Sequence, residues 1–375
     1  MIRIVADDKI PFLKGILEPF AILSYLPGKK IVNEILKDAD ALLIRTRTKC
    51  TESLLKGSGV RFIGTATIGF DHIDIQFCRK HKIKWTNAPG CNSSSVQQYM
   101  AAALLRTASE FGFSLKDKTI GIVGVGNVGT RVEKFARIMG MNVLLNDPPR
   151  ERKEGSRSFV KLNTLLRESD IVTLHVPLNI VGDDNTYHFF NEKTFKRMKK
   201  GAWLFNTSRG EVVETSALKS VLLSGRLGGA VIDVWENEPD LDLELMGNIF
   251  IATPHIAGYS TDGKANGTSM IVNALCRYFN LPLKNWFPEI IPPPASPVIN
   301  LSGEGKSDED IIREAVNISY DIEKDNSNLR SSPYDFENQR GDYPLRREFH
   351  AYTVKLKGGS ENVIKMLKDL GFRVV

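Results

Sequence analysis

The chain has 375 residues, which is too long for one hydrophobic core, so two or three domains are expected. Hydrophobic residues make up 42% and charged residues 25%, proportions that exclude a disordered or fibrous protein. The formal net charge is +6, and the 50 basic residues are scattered among 44 acidic residues. This charge is compatible with a small anionic substrate and does not require a nucleic-acid-binding surface.

The cysteines and the N-terminus narrow the class further. Cys50, Cys78, Cys91 and Cys276 form no C-x-x-C pair, so neither a zinc site nor a disulfide framework is indicated. The opening MIRIVADDKI has two aspartates where a signal peptide needs apolar residues, and no segment approaches the ~20 apolar residues of a membrane span. We therefore expect a soluble, cytoplasmic protein with no metal site and no membrane partner.

The N-terminal part of the chain alternates short apolar runs with helical stretches. The runs are typical of buried parallel strands and lie at 2–6, 41–45, 61–66 and 83–87. A helix is predicted over 93–111, where serines stand at the start and apolar residues recur at helical spacing. The pattern predicts a first α/β domain.

The middle of the chain repeats this alternation over a longer stretch. Its apolar runs lie at 118–129, 141–147, 170–176, 202–207, 229–234 and 248–255. Strands separated by helical patterns indicate βαβ units and one right-handed, doubly wound parallel sheet. A helix over 265–280 is predicted to follow it.

The C-terminal region has a different composition. FPEIIPPPASP (287–297) is rich in proline and predicts a stiff linker. Beyond it, 315–322 and 350–356 are strand candidates, and the last residues, ENVIKMLKDLGFRVV, predict a helix followed by a strand. We interpret 290–375 as a small α+β domain.

A glycine-rich turn in the middle domain predicts a dinucleotide site. In GVGNVG, Gly124 suits a tight turn, Gly126 lets the backbone approach a pyrophosphate, and Gly129 allows the helix to pack closely on the strand. The start of the following helix offers free N–H groups and a positive dipole end to phosphates.

An aspartate strengthens this prediction. Asp147 stands at the end of the next strand, about 20 residues after the glycines, where it could bind the ribose hydroxyls and repel the extra phosphate of NADP. NAD is therefore favoured, although Arg150 lies close by. The alternative is a plain glycine turn followed by an aspartate that only caps the next helix.

Three polar residues follow strand ends and could catalyse the oxidation of an alcohol by a nicotinamide cofactor. Arg209 in NTSRGEVV can clamp a carboxylate with its planar guanidinium, and His255 in PHIAG can exchange a proton near neutral pH. Glu238 in DVWENEP could orient the imidazole and favour its charged form. This set suits a 2-hydroxy acid and a nicotinamide cofactor.

Each assignment has an alternative. Arg209 could be a surface charge, Glu238 could only start a turn before a proline, and His255 could be hydrogen-bonded without reacting. His175, at the end of another strand, is the rival base, but it lacks an acidic partner in sequence. His72 and His188 resemble turn and helix-start residues.

The motifs GVGNVG, SRG, ENEP and PHIAG in this order resemble the D-2-hydroxyacid dehydrogenase family, over about residues 1–285. The resemblance implies NAD-dependent hydride transfer at C2, with Arg209 binding the carboxylate and carbonyl oxygen and His255 as acid/base paired with Glu238. The expected fold is α/β: a doubly wound parallel (Rossmann) NAD-binding domain inserted in a split, flavodoxin-like substrate domain, plus the small α+β domain at the C-terminus. The expected boundaries are 1–95 and 262–286 for the substrate domain, 96–261 for the NAD-binding domain and 290–375 for the C-terminal domain.

Other stretches resemble one branch of this family, which acts on a phosphorylated 2-hydroxy acid. They include ATIGFDHID, NAPGCNSSSV, HIAGYSTDGK and the additional C-terminal region. The resemblance implies that this C-terminal domain makes a homodimer. It also implies substrate contacts at Thr46, Thr67 and Tyr259 and cofactor contacts at Asn127, Val128, Asp233 and Gly258, besides the glycines and Asp147.

Some alternatives remain open. Lys264 or Arg45 could bind the substrate phosphate, or both could be solvated charges. The chain could be a dehydrogenase of phosphoglycerate or lactate, or a non-enzymatic NAD-sensing protein like the corepressors that resemble this family. A folded C-terminal domain favours dimerisation over a peptide-binding tail.

Overall fold

The computed structural model describes all residues, 1–375. The chain forms two compact units, one from Met1–Asn92 with Ser260–Pro292 and the other from Ser93–Tyr259 with Pro293–Val375. The first unit is therefore split in sequence, and the C-terminal region belongs to the same unit as the middle of the chain. The three-domain division and its boundaries stay a prediction.

The first unit is built on a five-stranded parallel sheet. Its strands are β1 (Ile2–Asp7), β2 (Ala21–Leu26), β3 (Ala41–Ile44), β4 (Phe62–Thr65) and β5 (Lys84–Thr86). The spatial order β2-β1-β3-β4-β5 is the flavodoxin-like order. The sequence pattern missed β2, because this edge strand is only partly buried and lacks a continuous apolar run.

Helices cover the first sheet. They are Glu52–Leu55, Ile75–Lys80 and Thr261–Tyr278, with short 3-10 turns at Gly28–Lys30 and Asn33–Leu36. The long helix packs on β4, where an added Cβ at Gly64 would lie 3.2 Å from Ile271. Close approach of the two backbones thus explains a glycine inside a strand.

The second unit contains a six-stranded parallel sheet. Its strands are β6 (Thr119–Val123), β7 (Asn142–Asn146), β8 (Ile171–Leu174), β9 (Trp203–Asn206), β10 (Gly229–Ile232) and β11 (Ile251–Ala252). The spatial order is β11-β10-β9-β8-β6-β7, so the direction of winding reverses beside β6. The doubly wound fold is confirmed, and ligands of such sheets bind where the order reverses.

Helices flank this sheet on both faces. They are Ser93–Glu110, Asn127–Ile138, Pro148–Glu154, Leu162–Glu168, Glu192–Arg197, Thr215–Leu223 and Leu243–Asn248, with 3-10 turns at Ser156–Ser158 and Gly210–Val212. The strands β8 and β9 are wholly buried, as expected when both faces of a parallel sheet are covered.

The C-terminal region forms a small three-stranded parallel sheet with helices. The strands are β12 (Val298–Ser302), β13 (Thr353–Lys357) and β14 (Arg373–Val374), in the order β12-β13-β14. The helices are Asp308–Ser319, Ile322–Ser331, Phe336–Gly341 and Glu361–Leu370, with 3-10 turns at Pro333–Asp335 and Phe349–Ala351. Their buried side chains share one core with the helix Ser93–Glu110.

One sequence prediction in this region is wrong. The strand expected over 315–322 is the end of the helix Asp308–Ser319 and the start of the next helix. A capping box between Ser307 and Asp310 starts the first helix, and its buried residues recur at helical spacing. Nowhere in the chain is a helix both long and apolar enough to cross a bilayer.

Candidate active site

The glycine turn after β6 has the geometry of a phosphate-binding loop. Gly124 adopts φ +87°, and an added Cβ there would lie 2.7 Å from the carbonyl of His175. A Cβ at Gly129 would lie 2.1 Å from the Gly124 oxygen, whereas one at Gly126 would have no atom within 4 Å. Packing thus requires glycine at 124 and 129, while Gly126 leaves open space at the start of the helix Asn127–Ile138.

Asp147 is tied to this turn. Its Oδ2 atom accepts a hydrogen bond of 2.8 Å from the N–H of Val125, and Oδ1 accepts one of 3.0 Å from the N–H of Arg150. The second bond caps the helix Pro148–Glu154, so the capping alternative is realised in the structure. Because each carboxylate oxygen can accept more than one bond, a ribose contact at Asp147 stays a prediction.

His255 and Glu238 form a hydrogen-bonded pair. His255 Nδ1 lies 2.8 Å from Glu238 Oε2, and Glu238 Oε1 accepts a 2.8 Å bond from the N–H of Trp235. An ionised carboxylate only accepts hydrogen bonds, so Nδ1 carries the hydrogen and Nε2 is the nitrogen that can take a proton. Burial opposes ionisation of Glu238, but the positive charge of His255 and these hydrogen bonds hold the pKa of this carboxyl below its usual value.

The loop that carries His255 is held in place by hydrogen bonds to the side chain of Asp233. This carboxylate is 1% exposed and accepts bonds from the N–H groups of Ile256 (2.8 Å) and Ala257 (2.9 Å), and from Thr253 Oγ1 (2.7 Å). Burial raises the pKa of Asp233 despite these donors and the charge of His255. The bonds hold His255 at φ +56°, a left-handed conformation that non-glycine residues rarely adopt. A cofactor contact at Asp233 stays a prediction.

Arg209 lies on a neighbouring loop, after β9. The side-chain amide of Asn206 organises this loop, because it donates to the Arg209 carbonyl (2.9 Å) and accepts from the N–H of Ser208 (3.0 Å). An added Cβ at Gly210 would lie 2.0 Å from the backbone of Trp235. The Arg209 loop therefore packs directly against the loop that leads to Glu238.

The rival histidines have other environments. His175 lies between the hydroxyls of Thr173 (3.0 Å) and Thr207 (3.2 Å), and its removal from water lowers its pKa to about 3. A base with this pKa accepts a proton weakly at neutral pH, which disfavours His175. His188 Nε2 lies 2.6 Å from Glu236 Oε1 and forms a second histidine–glutamate pair.

Tyr259, a predicted substrate residue, ends the same loop. Its ring packs edge to face on Tyr343 at a centroid distance of 5.9 Å, and the guanidinium of Arg340 lies over it at 5.7 Å. Arg340 and Tyr343 were not predicted from the sequence, because no local motif marks residues that reach the loop from the C-terminal region. Thr253 and Asn206 were not predicted either, although both stand beside the recognised motifs.

Further predicted residues belong to the first unit. Thr46 is exposed in the turn after β3, and Thr67 donates to the Gly69 carbonyl at 2.9 Å, just after β4. Arg45 donates to the Lys9 carbonyl at 3.2 Å. Lys264 stands in the first turn of the helix Thr261–Tyr278.

Comparison with known proteins identifies the class. Residues 92–257 match the family model described as D-isomer specific 2-hydroxyacid dehydrogenase, NAD binding domain, and residues 291–371 match a domain of unknown function, DUF3410. Together with the doubly wound sheet, the match identifies the chain as an NAD-dependent 2-hydroxyacid dehydrogenase.

Relatives along the whole chain define the family more closely. The chain is 50% identical over 354 residues to the erythronate-4-phosphate dehydrogenase of Bacteroides fragilis, covering 94% of this chain and 99% of the relative. It is 41% identical over 373 residues to that of Proteus mirabilis, covering 99% and 98%. The chain belongs to the erythronate-4-phosphate dehydrogenases, within the D-2-hydroxyacid dehydrogenase family.

Solved structures share the fold over most of the chain. D-lactate dehydrogenase from Aquifex aeolicus, complexed with NAD and lactic acid, is 27% identical, with a TM-score of 0.62 over 74% of this chain and 95% of that chain. NAD-bound 3-phosphoglycerate dehydrogenase from Entamoeba histolytica is 28% identical, with a TM-score of 0.62 over 77% and 99%.

Proposed function

We propose that this protein oxidises 4-phospho-D-erythronate at C2 with NAD, giving 2-oxo-3-hydroxy-4-phosphobutanoate, as a step of pyridoxal 5'-phosphate biosynthesis. The observation that carries the proposal is the 50% identity to an erythronate-4-phosphate dehydrogenase across 94% of the chain. The hydrogen-bonded pair of His255 and Glu238 supplies the acid/base chemistry that this reaction needs.

Removing two electrons from the C2 alcohol releases a hydride and a proton. NAD, when bound, supplies the hydride acceptor. The hydroxyl proton goes to Nε2 of His255, whose Nδ1–H donates to Glu238. The negative charge of Glu238 then stabilises the imidazolium, so the proton transfer needs less free energy than it would at an isolated histidine.

Binding roles follow from the chemistry of the other residues. Arg209 binds the substrate carboxylate and the oxygen at C2, because a guanidinium offers parallel donors to both. Thr46, Thr67 and Tyr259 contact the substrate, and Arg45 or Lys264 binds its phosphate. If Arg45→Ala and Lys264→Ala each leave the KM for the phosphorylated substrate unchanged, this phosphate assignment is wrong.

The glycine turn and its neighbours hold the cofactor in this proposal. The open space at Gly126 suits a pyrophosphate, and so do the N–H groups of Asn127 and Val128, because the first N–H groups of a helix have no acceptor within the helix. Asp147 binds the ribose, while Asp233 and Gly258 lie toward the nicotinamide half.

The C-terminal domain is proposed to join two copies of the chain. Leu345 (46% exposed) and Val298 (41% exposed) are apolar side chains on its surface. Analytical ultracentrifugation would give twice the chain mass for a homodimer and the chain mass of 41.9 kDa otherwise. The cytoplasmic location also stays a prediction.

A direct assay tests the proposed reaction. NADH formation is followed with 4-phospho-D-erythronate, D-3-phosphoglycerate and D-lactate as substrates, for the wild type and His255→Gln. We expect the highest kcat/KM with the first substrate and a loss of about 10²-fold or more in the variant. Turnover with D-lactate or D-3-phosphoglycerate alone would support another dehydrogenase, and no turnover with any of them would support an NAD-sensing protein.

A further inference from the structure

Two arginines from the C-terminal region reach the loop that carries His255: Arg346 donates to the Ala257 carbonyl at 2.5 Å, and Arg340 lies against Tyr259. Arg340 lies in the short helix Phe336–Gly341, and its guanidinium is 5.7 Å from the centroid of the Tyr259 ring. Arg340 also donates to Glu337, one turn earlier, at 3.1 Å.

The ring of Tyr259 is held on two sides by this region. Arg340 lies over the ring, and Tyr343 contacts it edge to face at 5.9 Å. Tyr259 stands at one end of the loop that begins with His255. The C-terminal segment around 340–343 therefore fixes the orientation of a side chain that we propose to contact the substrate.

Arg340 also acts on Glu238. Together with His255 and the N–H of Trp235, its positive charge helps to hold the pKa of the Glu238 carboxyl below the usual value, although burial opposes this. Burial also works against the charge of Arg340 itself, but Tyr259, Glu238 and Glu337 raise the pKa of the guanidinium. Two further charged groups hold the His255 loop: the Asp233 carboxylate, which accepts from the N–H groups of Ile256 and Ala257, and Arg346, which donates to the Ala257 carbonyl.

This location is an unfavourable one for a purely structural arginine. The side chain is only 14% exposed, and its buried Nε atom has no hydrogen-bond partner. A charged group removed from water with incomplete partners contributes little to stability, so its presence beside reacting groups points to a role there.

We propose that Arg340 is a positioning residue of the active site, which orients Tyr259 toward the substrate and sets the electrostatic environment of the Glu238–His255 pair. The inference rests on the proposed function for its kinetic consequences only. The charge on Arg340 carries the effect on the pair, whereas the planar guanidinium over the ring carries the effect on Tyr259.

The test separates these two effects and has one readout that needs no substrate. The chain has 6 histidines, so the His255 imidazole resonance can be assigned by its loss in His255→Gln and titrated by NMR. Arg340→Gln removes the charge and should move the titration midpoint of the His255–Glu238 pair up by about 0.5 to 1 pH unit, because a like charge no longer opposes protonation. Arg340→Lys keeps the charge and should keep the midpoint.

Kinetics with 4-phospho-D-erythronate give the second readout. Both Arg340 variants should raise the substrate KM about 3- to 10-fold, because the planar guanidinium no longer lies over the Tyr259 ring, and the KM for NAD should be unchanged. The matched control is Arg313→Gln in the same region, since Arg313 also pairs with an acid three residues earlier, Asp310, and should behave as the wild type.

A wild-type midpoint together with a wild-type KM in Arg340→Gln would overturn the inference. If that variant does not fold, Glu337→Gln provides the test. Loss of the Glu337 charge leaves the positive charge of Arg340 less compensated, so the titration midpoint of the His255–Glu238 pair should fall by about a few tenths of a pH unit. An unchanged midpoint would overturn the inference. If the wild type does not turn over 4-phospho-D-erythronate, the proposed function is rejected. The inference about Arg340 is then still tested by the NMR titration, which needs no substrate.

Discussion

Replacement of Glu238 by glutamine should disable proton transfer while leaving the fold intact. In the native protein, Oε2 accepts from His255 Nδ1 and Oε1 accepts from the N–H of Trp235, each at 2.8 Å. A glutamine has one accepting oxygen and one donating nitrogen, so it can satisfy only one of these donors. If the oxygen keeps the Trp235 bond, the amide nitrogen faces Nδ1 and forces the hydrogen onto Nε2, where the proton from the substrate must go.

The magnitude follows from the lost charge interaction. A carboxylate and an imidazolium about 4 Å apart interact by about 4 kcal/mol at the effective dielectric of a half-buried site, and a tenfold change in rate corresponds to about 1.4 kcal/mol. We therefore expect kcat for oxidation to fall by about 10²- to 10³-fold in Glu238→Gln. The KM for NAD should stay within about threefold, because no part of the glycine turn is altered.

A neighbouring pair provides the matched control. Glu236 stands in the same loop and bonds to His188 at 2.6 Å, so Glu236→Gln removes the same charge from a second histidine–glutamate pair. Stopped-flow measurement of NADH formation, with circular dichroism to verify folding, compares the two variants. Wild-type kcat in Glu238→Gln, or an equal loss in Glu236→Gln, would contradict the assignment of Glu238 as the partner of the catalytic imidazole.

Three further changes test separate parts of the site. Gly210→Ala should lower kcat at least tenfold, because its Cβ would lie 2.0 Å from the Trp235 backbone and must push the two loops apart; wild-type activity would refute this. Asp147→Ala should raise the KM for NAD about tenfold or more and reduce the preference for NAD over NADP, measured by initial rates with both cofactors. If the ratio of kcat/KM for NAD to that for NADP is unaltered, Asp147 only caps the helix. His175→Gln should retain kcat within about tenfold, unlike His255→Gln. Because the folded state holds the pKa of His175 at about 3, its contribution to stability is present above the unfolded pKa of about 6.5 and is lost as pH falls below it. Urea unfolding between pH 8 and pH 5 should therefore be less pH-dependent in the variant than in the wild type.

The sequence by itself determined the doubly wound domain and the identity of its polar residues. In GVGNVG, Gly124 has a left-handed φ of +87° and Gly129 lies too close to the Gly124 oxygen for a side chain, and only glycine meets both requirements. Arg209, Glu238 and His255 could be selected because parallel strands end at one edge of a sheet, so residues just after them converge. Local pattern and position were sufficient to make both predictions; the fold is confirmed, and the catalytic roles of the three residues stay a prediction.

Only the tertiary structure decided what supports these residues. Thr253 bridges Asp233 and the Tyr99 hydroxyl at 2.7 Å each, and Arg340 reaches Tyr259 from a helix far along the chain. The segment 315–322 is helical because a capping box and a buried apolar face outweigh its β-branched residues. Contacts between residues distant in sequence depend on how whole elements pack together, and no periodicity or motif within one segment records that packing.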